Sequence, residues 1–217
     1  MKAILLAAGI TSALAGLPLT AQDSPGQPPS DRNAQPPTRT ERPGLQTDRK
    51  DQLAEPGTEH RKLEMFVGSW DVSGQCWTKE GGSPDTITGT ANSEWVLGNR
   101  FVQCHIKATE GGKNFEGMGL FGYDNAQRQF VTNWADTMST GLKTETGSYD
   151  TGSKTFTMNG SFRDDSGKTV QCRRTIKLTS DNEHTITAYK MEPGQSEMKV
   201  AEITMKRSSA RAQVPER

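Results

Sequence analysis

Turn signals divide most of the chain into pieces of similar length. They occur at Gly81-Gly82, Gly98-Asn99, Gly111-Gly112, Asp124-Asn125, Thr140-Gly141, Asp150-Thr151-Gly152, Asp164-Asp165-Ser166-Gly167, Ser180-Asp181-Asn182 and Pro193-Gly194. Each segment between two signals has the length of one β-strand, and short turns of this kind join antiparallel neighbours. The sequence therefore predicts an all-β fold, an up-and-down barrel of about ten antiparallel strands.

Residue alternation indicates which strand positions face the inside of this barrel. Apolar residues occupy alternate positions in two segments: Phe156, Met158 and Phe162 in the first, and Val170, Cys172, Ile176 and Leu178 in the second. Such alternation is typical of strands with one buried face. Arg174 shares the apolar face of the second segment. One interpretation is an ion pair inside the barrel, or a bulge that turns the side chain outward; the other is a fixed cation for an anionic ligand group.

The first 57 residues differ from the rest in composition. Lys2 precedes an apolar run over residues 3–17 and small residues up to Ala21, a pattern typical of a secretory signal peptide. Residues 22–57 contain seven of the eleven prolines and no aromatic residue, which predicts a disordered linker. We therefore expect a signal peptide at 1–21, a linker at 22–57, a barrel domain at 58–209 and a flexible tail at 210–217.

The same features predict where the protein resides. No cysteine precedes Cys76, so the lipid-bearing cysteine of a lipoprotein is missing, and no later apolar run approaches the length of an integral membrane segment. We expect a periplasmic or secreted protein. Its 26 basic residues balance its 26 acidic residues, without the one-sided basic patch that nucleic acid requires. A small molecule or another protein is therefore the expected partner.

A short helix is predicted before the first strand. Thr58 is a suitable N-cap, Leu63 and Phe66 follow at helical spacing, and Gly68 stands where a C-terminal glycine cap would fall. Gly68-Ser69-Trp70 then resembles the Gly-x-Trp of the first strand in lipocalins and their relatives, where the indole crosses the barrel floor. That resemblance implies a cation from Lys206 or Arg207 over the ring of Trp70.

A wider resemblance covers residues 63–205. It rests on Gly68-Ser69-Trp70, Trp95-Val96-Leu97-Gly98 with Arg100-Phe101, Phe115-Glu116-Gly117 with Gly119, Gly122-Tyr123-Asp124-Asn125, Trp134 with Asp136, and Gly147-Ser148-Tyr149-Asp150. In these motifs the chain resembles a bacterial domain family of unknown function, number 1579. The resemblance implies a calycin-type barrel, related in outline to lipocalins and nitrobindin-like haem binders. It implies no catalytic residue.

Six residues are candidates for lining a ligand cavity: Trp95, His105, Tyr123, Trp134, Asp136 and Arg174. The aromatic residues are either core or cavity wall. Asp136 shares a strand face with Trp134, so it either orients a ligand or caps the turn that follows. His105 lies in mid-strand beside Cys104.

The histidines and cysteines define no metal site by their spacing. Axial haem ligation by His105 or His184 is an alternative that needs only a well-placed imidazole and an apolar slot. Cys76, Cys104 and Cys172 are an odd set, so an oxidising compartment predicts one disulfide and one free thiol, with the pairing left open. No other cofactor is indicated.

Three functions remain open. The first is a barrel that binds a small, partly apolar molecule, with Arg174 or Asp136 as the polar orienting group. The second is a non-enzymatic scaffold or interaction domain, which predicts a filled interior and an exposed apolar patch. The third is an enzyme inside the barrel that uses Asp136 and His105, which requires those two residues within hydrogen-bond reach.

Overall fold

The computed structural model describes residues 51–164 and 166–209. The predicted signal peptide, most of the predicted linker and the predicted tail lie outside the described residues. Residues 51–54 are helical. Within the described ranges, no helix has the length and apolar character needed to cross a membrane.

After residues 51–54, two further short helical pieces precede ten strands. Helix α1 spans Thr58–Arg61, and a 3₁₀ turn spans Glu64–Phe66. The strands are β1 (Gly68–Cys76), β2 (Asp85–Val96), β3 (Phe101–Glu110), β4 (Lys113–Asp124), β5 (Gln129–Asp136), β6 (Lys143–Asp150), β7 (Thr155–Arg163), β8 (Thr169–Ser180), β9 (Glu183–Met191) and β10 (Met198–Arg207). The predicted turn signals fall at the connections between these strands, and three of them begin at the last residue of a strand, namely Asp124, Asp150 and Ser180.

The strands form a closed antiparallel barrel. Consecutive strands are hydrogen-bonded to each other, and β1 pairs with β10 to close the sheet. The predicted ten-stranded up-and-down barrel with a short N-terminal helix is thereby confirmed. The apolar residues at alternate positions of β7 and β8 are largely buried, as their periodicity predicts.

The helical piece is shorter than the spacing of its apolar residues predicts. Gly57 is the N-cap of α1 instead of Thr58, and Val67 is already extended, with a φ of −69° and a ψ of 132°. Gly68 is the first residue of β1, not a helix cap, and its φ of +128° favours glycine. A Cβ atom there would lie 2.4 Å from Nη1 of Arg207, so a side chain at this position would displace that guanidinium group.

The helical pieces close one end of the barrel. We call this the helix end, and we call its core the aromatic plug: Leu63, Phe66, Val102, Phe130, Phe156, Met158, Ile176 and Leu178. Trp70 lies at the same end, with its indole Nε1 donating a hydrogen bond to the Phe66 carbonyl oxygen at 2.8 Å. Of the two predicted cations it is Arg207 that covers the indole, with its guanidinium carbon 4.4 Å from the ring centroid. Lys206 pairs with Glu183 instead.

Candidate functional site

A cavity of about 190 Å³ lies inside the barrel. Much of its wall is apolar and includes Trp70, Ile87, Val102, Ile106, Phe115, Ile186, Ala188, Ile203 and Met205. These side chains face inward because they stand at alternate positions of their strands. The cavity is smaller than typical ligand pockets of about 300–1,000 Å³. It exceeds, however, an apolar cavity of about 150 Å³ that binds benzene.

One polar group of the wall is centred on Arg174 of β8. Its Nη2 atom makes an ion pair with Oε2 of Glu145 on β6 and donates a hydrogen bond to the hydroxyl of Thr132 on β5 at 3.0 Å. The Thr132 hydroxyl donates in turn to Glu145 Oε2 at 3.1 Å. The Nε atom of Arg174 is buried and has no hydrogen-bond acceptor among the described protein atoms. Of the two interpretations of Arg174, the internal ion pair is therefore present, with one donor still unused.

A second polar group joins the end of β5 to the start of β6. Oδ2 of Asp136 makes an ion pair with Lys143 and accepts a hydrogen bond from Trp134 Nε1 at 2.9 Å. Oδ1 of Asp136 accepts from the backbone N–H of Met138 at 3.0 Å, so the carboxylate also caps the turn. Burial lowers the pKa of Lys143 to about 8, although the neighbouring Asp136 carboxylate acts in the opposite direction.

Trp134 owes its position to two glycines of β4. A Cβ atom on Gly117 would lie 2.2 Å from Cζ2 of the indole, and one on Gly119 would lie 2.6 Å from Cε3. Neither contact is compatible with a side chain, so the indole lies flat against the bare backbone of the neighbouring strand. The motif Phe115-Glu116-Gly117 with Gly119 thus has a local explanation, namely space for this ring.

The third polar group is Glu110 at the end of β3. Its side chain lines the cavity, is 7% exposed, and its Oε1 atom has no hydrogen-bond donor among the described protein atoms. The Cys76 thiol contacts the same carboxyl group. Burial raises the pKa of Glu110, and Asp85 and Asp136 act in the same direction.

The six predicted site residues fall into two sets. Three of them point into the barrel: Trp134 and Asp136 belong to the second polar group, and Arg174 is the centre of the first. Trp95 and Tyr123 pack beside the aromatic plug instead and do not line the cavity. Trp95 Nε1 donates to Glu64 Oε2 at 2.6 Å, and the Tyr123 ring lies 5.9 Å from that of His60. Both therefore fasten the helical pieces to the barrel.

His105 lies outside the cavity altogether. It is exposed, because its neighbours Cys104 and Ile106 occupy the inward positions of β3. Asp136 points inward, so the two residues lie on opposite faces of the sheet. The geometry required for an Asp136–His105 enzyme is therefore absent.

His184 is buried against aromatic rings. Its ring centroid lies 4.6 Å from that of Trp70 and 5.2 Å from that of Phe66, in edge-to-face geometry. Burial, with Arg207 nearby, lowers the pKa of His184 to about 4. This side chain lines the cavity at the helix end, but a cavity of about 190 Å³ does not accommodate a haem beside it. The residues present thus do not fit the haem alternative.

The predicted disulfide is wrong. Cys76, Cys104 and Cys172 are all free thiols in the structure. They lie on β1, β3 and β8, no two of which are hydrogen-bonded neighbours. Burial raises the pKa of the Cys172 thiol to about 11 and also raises that of Cys104. The described residues contain no group of three or more His, Cys, Asp or Glu side chains arranged to hold a metal ion.

Sequence reasoning missed several polar residues of the cavity, among them Glu110, Thr132, Lys143 and Glu145. Lys143-Thr144-Glu145-Thr146 carries no apolar alternation, so nothing in it distinguishes the inward face. For Glu110 a signal existed, because it continues the alternation Val102, Cys104, Ile106 and Ala108.

A family described as "Protein of unknown function (DUF1579)" matches residues 55–207. The chain belongs to this family. The match begins at Glu55, whose carboxylate lies 3.3 Å from Arg100 of the barrel and whose carbonyl accepts a hydrogen bond from Asn125.

Two solved structures are similar to the DUF1579 domain. One is an S-type phycobiliprotein lyase, CPES, from Guillardia theta, with 10% sequence identity and a TM-score of 0.49 over 72% of this chain and 100% of that chain. The other is EF1p2_mFAP2b bound to DFHBI, with 10% identity and a TM-score of 0.39 over 69% of this chain and 98% of that chain. No curated protein sequence matches the chain significantly.

Proposed function

We propose that this DUF1579 protein is an exported binding module that holds a small, partly apolar molecule inside its barrel. The observation that carries the proposal is the cavity of about 190 Å³, whose wall is mainly apolar and includes the polar groups around Arg174, Lys143 and Glu110. Small-molecule sites combine these same features, an apolar wall and a few placed polar groups. The scaffold alternative predicts a filled interior, so the cavity supports the binding proposal over it.

The size of the cavity limits the ligand. An apolar cavity of about 150 Å³ holds one benzene molecule. We therefore infer that a ligand of about one ring, or a short branched chain, fits without rearrangement of the wall. Export rests on the sequence pattern of residues 1–21, which lie outside the described residues.

The proposal is tested first by native mass spectrometry of the full chain, expressed with its own N-terminus and purified without denaturant. We expect a mature protein that begins at Gln22 in the exported fraction, with a co-purifying small mass. Full-length protein confined to the cytoplasm would contradict export.

A second measurement tests whether the cavity is the site. Benzene and indole are titrated by calorimetry into the wild type and into Ala188→Leu, which fills the cavity from β9. The matched control is Ala135→Leu, because Ala135 lies between the inward-facing Trp134 and Asp136 and therefore points outward. We expect binding to the wild type and the control, and a loss of at least tenfold in Ala188→Leu. Equal affinity in all three proteins, or no binding to any, would contradict the proposal.

A further inference from the structure

One ion pair of the barrel presents only its amine to the cavity. Among the described residues, the cavity wall includes Lys143 but not its partner Asp136. The side chain of Lys143 is 11% exposed, whereas that of Asp136 is fully buried. The Asp136 carboxylate lies behind the amine, where Trp134 Nε1 and the backbone N–H of Met138 donate to its two oxygens. A molecule in the cavity therefore meets the amine of Lys143 and not the carboxylate.

The barrel wall is interrupted beside this amine. The pairing of β6 with β7 begins at Glu145 and Gly160, so Lys143 and Thr144 at the start of β6 have no register partner on β7. Thr144 and Ser161 alternate with inward-facing residues, and yet both line the cavity. The cavity therefore reaches between the two strands at this point. A small molecule has a way to Lys143 that does not cross the aromatic plug.

The surroundings of Lys143 favour a neutral amine. Burial lowers its pKa to about 8, and Arg174 acts in the same direction, against the carboxylates of Asp136 and Glu145. At pH 7 about one-tenth of this amine is then neutral, against about 0.04% for an ordinary lysine with a pKa of about 10.4. An amine reacts as a nucleophile only in its neutral form. Desolvation in an apolar pocket is one of the ways in which proteins activate lysine for attack on carbonyl groups.

We propose that Lys143 captures a ring-sized aldehyde in the cavity as a Schiff base. The neutral amine attacks the aldehyde carbon, the C–N bond forms, and the carbonyl oxygen leaves as water with the two amine hydrogens. The imine nitrogen then takes up one proton, which replaces the proton that the ammonium group gave up. This inference rests on the proposed function, because it assigns a ligand class and a point of attachment to the same cavity.

The neighbourhood of Lys143 suits this product. The nitrogen carries one positive charge before and after the reaction, so the iminium ion keeps the ion pair with Asp136, and no oxidant or reductant is required. The apolar side chains of the wall, among them Ile106 and Ile203, enclose the ring. They also limit the access of water, which would hydrolyse the imine.

The test is reductive trapping on the full chain. One equivalent of benzaldehyde, which is close to benzene in size, is added at pH 7 with cyanoborohydride, which reduces an iminium ion to a stable secondary amine. Peptide mapping then locates the benzyl label. We expect the label on Lys143 to exceed that on any other lysine by about tenfold or more, because more of its amine is neutral. Lys190 is the internal control, since it also lines the cavity and is also paired with a carboxylate, that of Glu192.

Two competition measurements separate capture in the cavity from general reactivity. Excess benzene should slow the labelling of Lys143 about tenfold and leave that of the exposed Lys107 unchanged. Pyridoxal 5′-phosphate, an aldehyde that is anionic and larger than benzaldehyde, should label exposed lysines without a preference for Lys143.

A variant provides a further check on the intact protein. Lys143→Met/Asp136→Asn removes both charges together, so no buried ion is left alone, and it should lose most of the benzyl label. Lys107→Met is the matched control and should keep it. Circular dichroism verifies that each variant folds; for a variant that does not, the distribution of the label on the wild type decides.

The outcomes separate this inference from the proposed function. If benzene does not bind by calorimetry, the binding function itself fails. If benzene binds but Lys143 is labelled no more than Lys190 or the amino terminus, the cavity binds ligands without capturing an aldehyde. Labelling of Lys143 that benzene does not slow, or that pyridoxal 5′-phosphate matches, would show a reactive lysine outside the ligand cavity; each of these results overturns the inference.

Discussion

The two halves of the barrel interior differ in how their space is filled. At the helix end the aromatic plug fills the space with rings. The ring centroid of Phe156 lies 4.4–5.4 Å from the ring centroids of four neighbours: Tyr149, Phe130, Phe121 and Phe66. Beyond the plug, the interior contains a cavity whose wall includes the Arg174–Glu145 and Lys143–Asp136 ion pairs. Both halves use the same alternating strands, so the difference arises from the side chains and not from the topology.

This contrast separates stability from recognition. Burial of rings at normal packing density is the main favourable contribution to folding. Buried ion pairs contribute little net stability, because desolvation of the two charges offsets their attraction. Polar groups in a cavity are therefore more readily explained by what they contact than by the stability they add. Substitutions in the two halves should accordingly affect different measurements.

The largest effect is expected from Phe156→Ala in the plug. Phe156 is fully buried, and its removal leaves a cavity that the surrounding rings cannot fill. We expect the free energy of unfolding to fall by about 3–5 kcal/mol in urea denaturation. Asn159→Ala, exposed on the outward face of the same strand, is the control and should change it by less than about 0.5 kcal/mol. A loss below about 1 kcal/mol for Phe156→Ala would show that the plug is not the stabilising half.

An intermediate effect is expected from acid, through His184 at the helix end. The pKa of His184 is about 4 in the folded protein against 6.5 for the unperturbed side chain, so between these values the unfolded state binds more protons. The free energy of unfolding therefore falls as the pH falls through this window. His184 therefore lowers the free energy of unfolding by about 2 kcal/mol when the pH is reduced from 7.5 to 5.

The measurement is urea denaturation at pH 7.5 and pH 5 for the wild type, His184→Gln and His105→Gln. The variant at His184 should lose about 2 kcal/mol of the pH dependence. His105→Gln, at an exposed position, should retain it. If the pH dependence were the same in all three proteins, the burial of His184 would not be responsible for it.

The smallest net effect, and the one that sharpens the comparison, is expected when the whole Arg174–Glu145 pair is removed. Glu145→Leu leaves a buried guanidinium without its carboxylate and should cost about 2–3 kcal/mol in urea denaturation. The double variant Glu145→Leu/Arg174→Met removes both charges and should recover most of that loss.

The control for this pair is Glu116→Leu, which breaks the exposed Lys107–Glu116 pair of 3.6 Å and should cost less than about 0.5 kcal/mol. If the double variant were as unstable as the single one, the pair would be a net stabilising element and the contrast between the halves would not hold.

The sequence predicts the topology well because turn chemistry is local. Gly98-Asn99 and Asp124-Asn125 act through their own backbone conformations, and Asn99 indeed has a φ of 63°. The inward direction of a site residue is predictable where side chains alternate along a strand, as they do for Trp134 with Asp136 and for Arg174. His105 is misplaced although the same rule, applied through Val102 and Ile106, puts it outside.

The remaining features depend on contacts that no local pattern encodes. Trp95 and Tyr123 point inward, but they lie at the helix end and not at the level of the cavity. The position of a residue along the barrel axis depends on how the sheet closes, which no local pattern shows. The ion pairs of Lys143 and Glu145 join strands whose registers the sequence does not reveal. The separation of the three cysteines likewise follows from closure of the barrel.

Closure has a kinetic consequence as well. In the described barrel, only the seam between β1 and β10 joins strands that are distant in the chain, whereas each other pair is a hairpin with a short connection. Hairpins form within microseconds, but the seam requires closure of a loop of more than a hundred residues, at an entropic cost of about 4 kcal/mol. The contacts of Arg207 with Trp70 and with the Val67 carbonyl lie on this seam. They are therefore among the last that a folding chain can make.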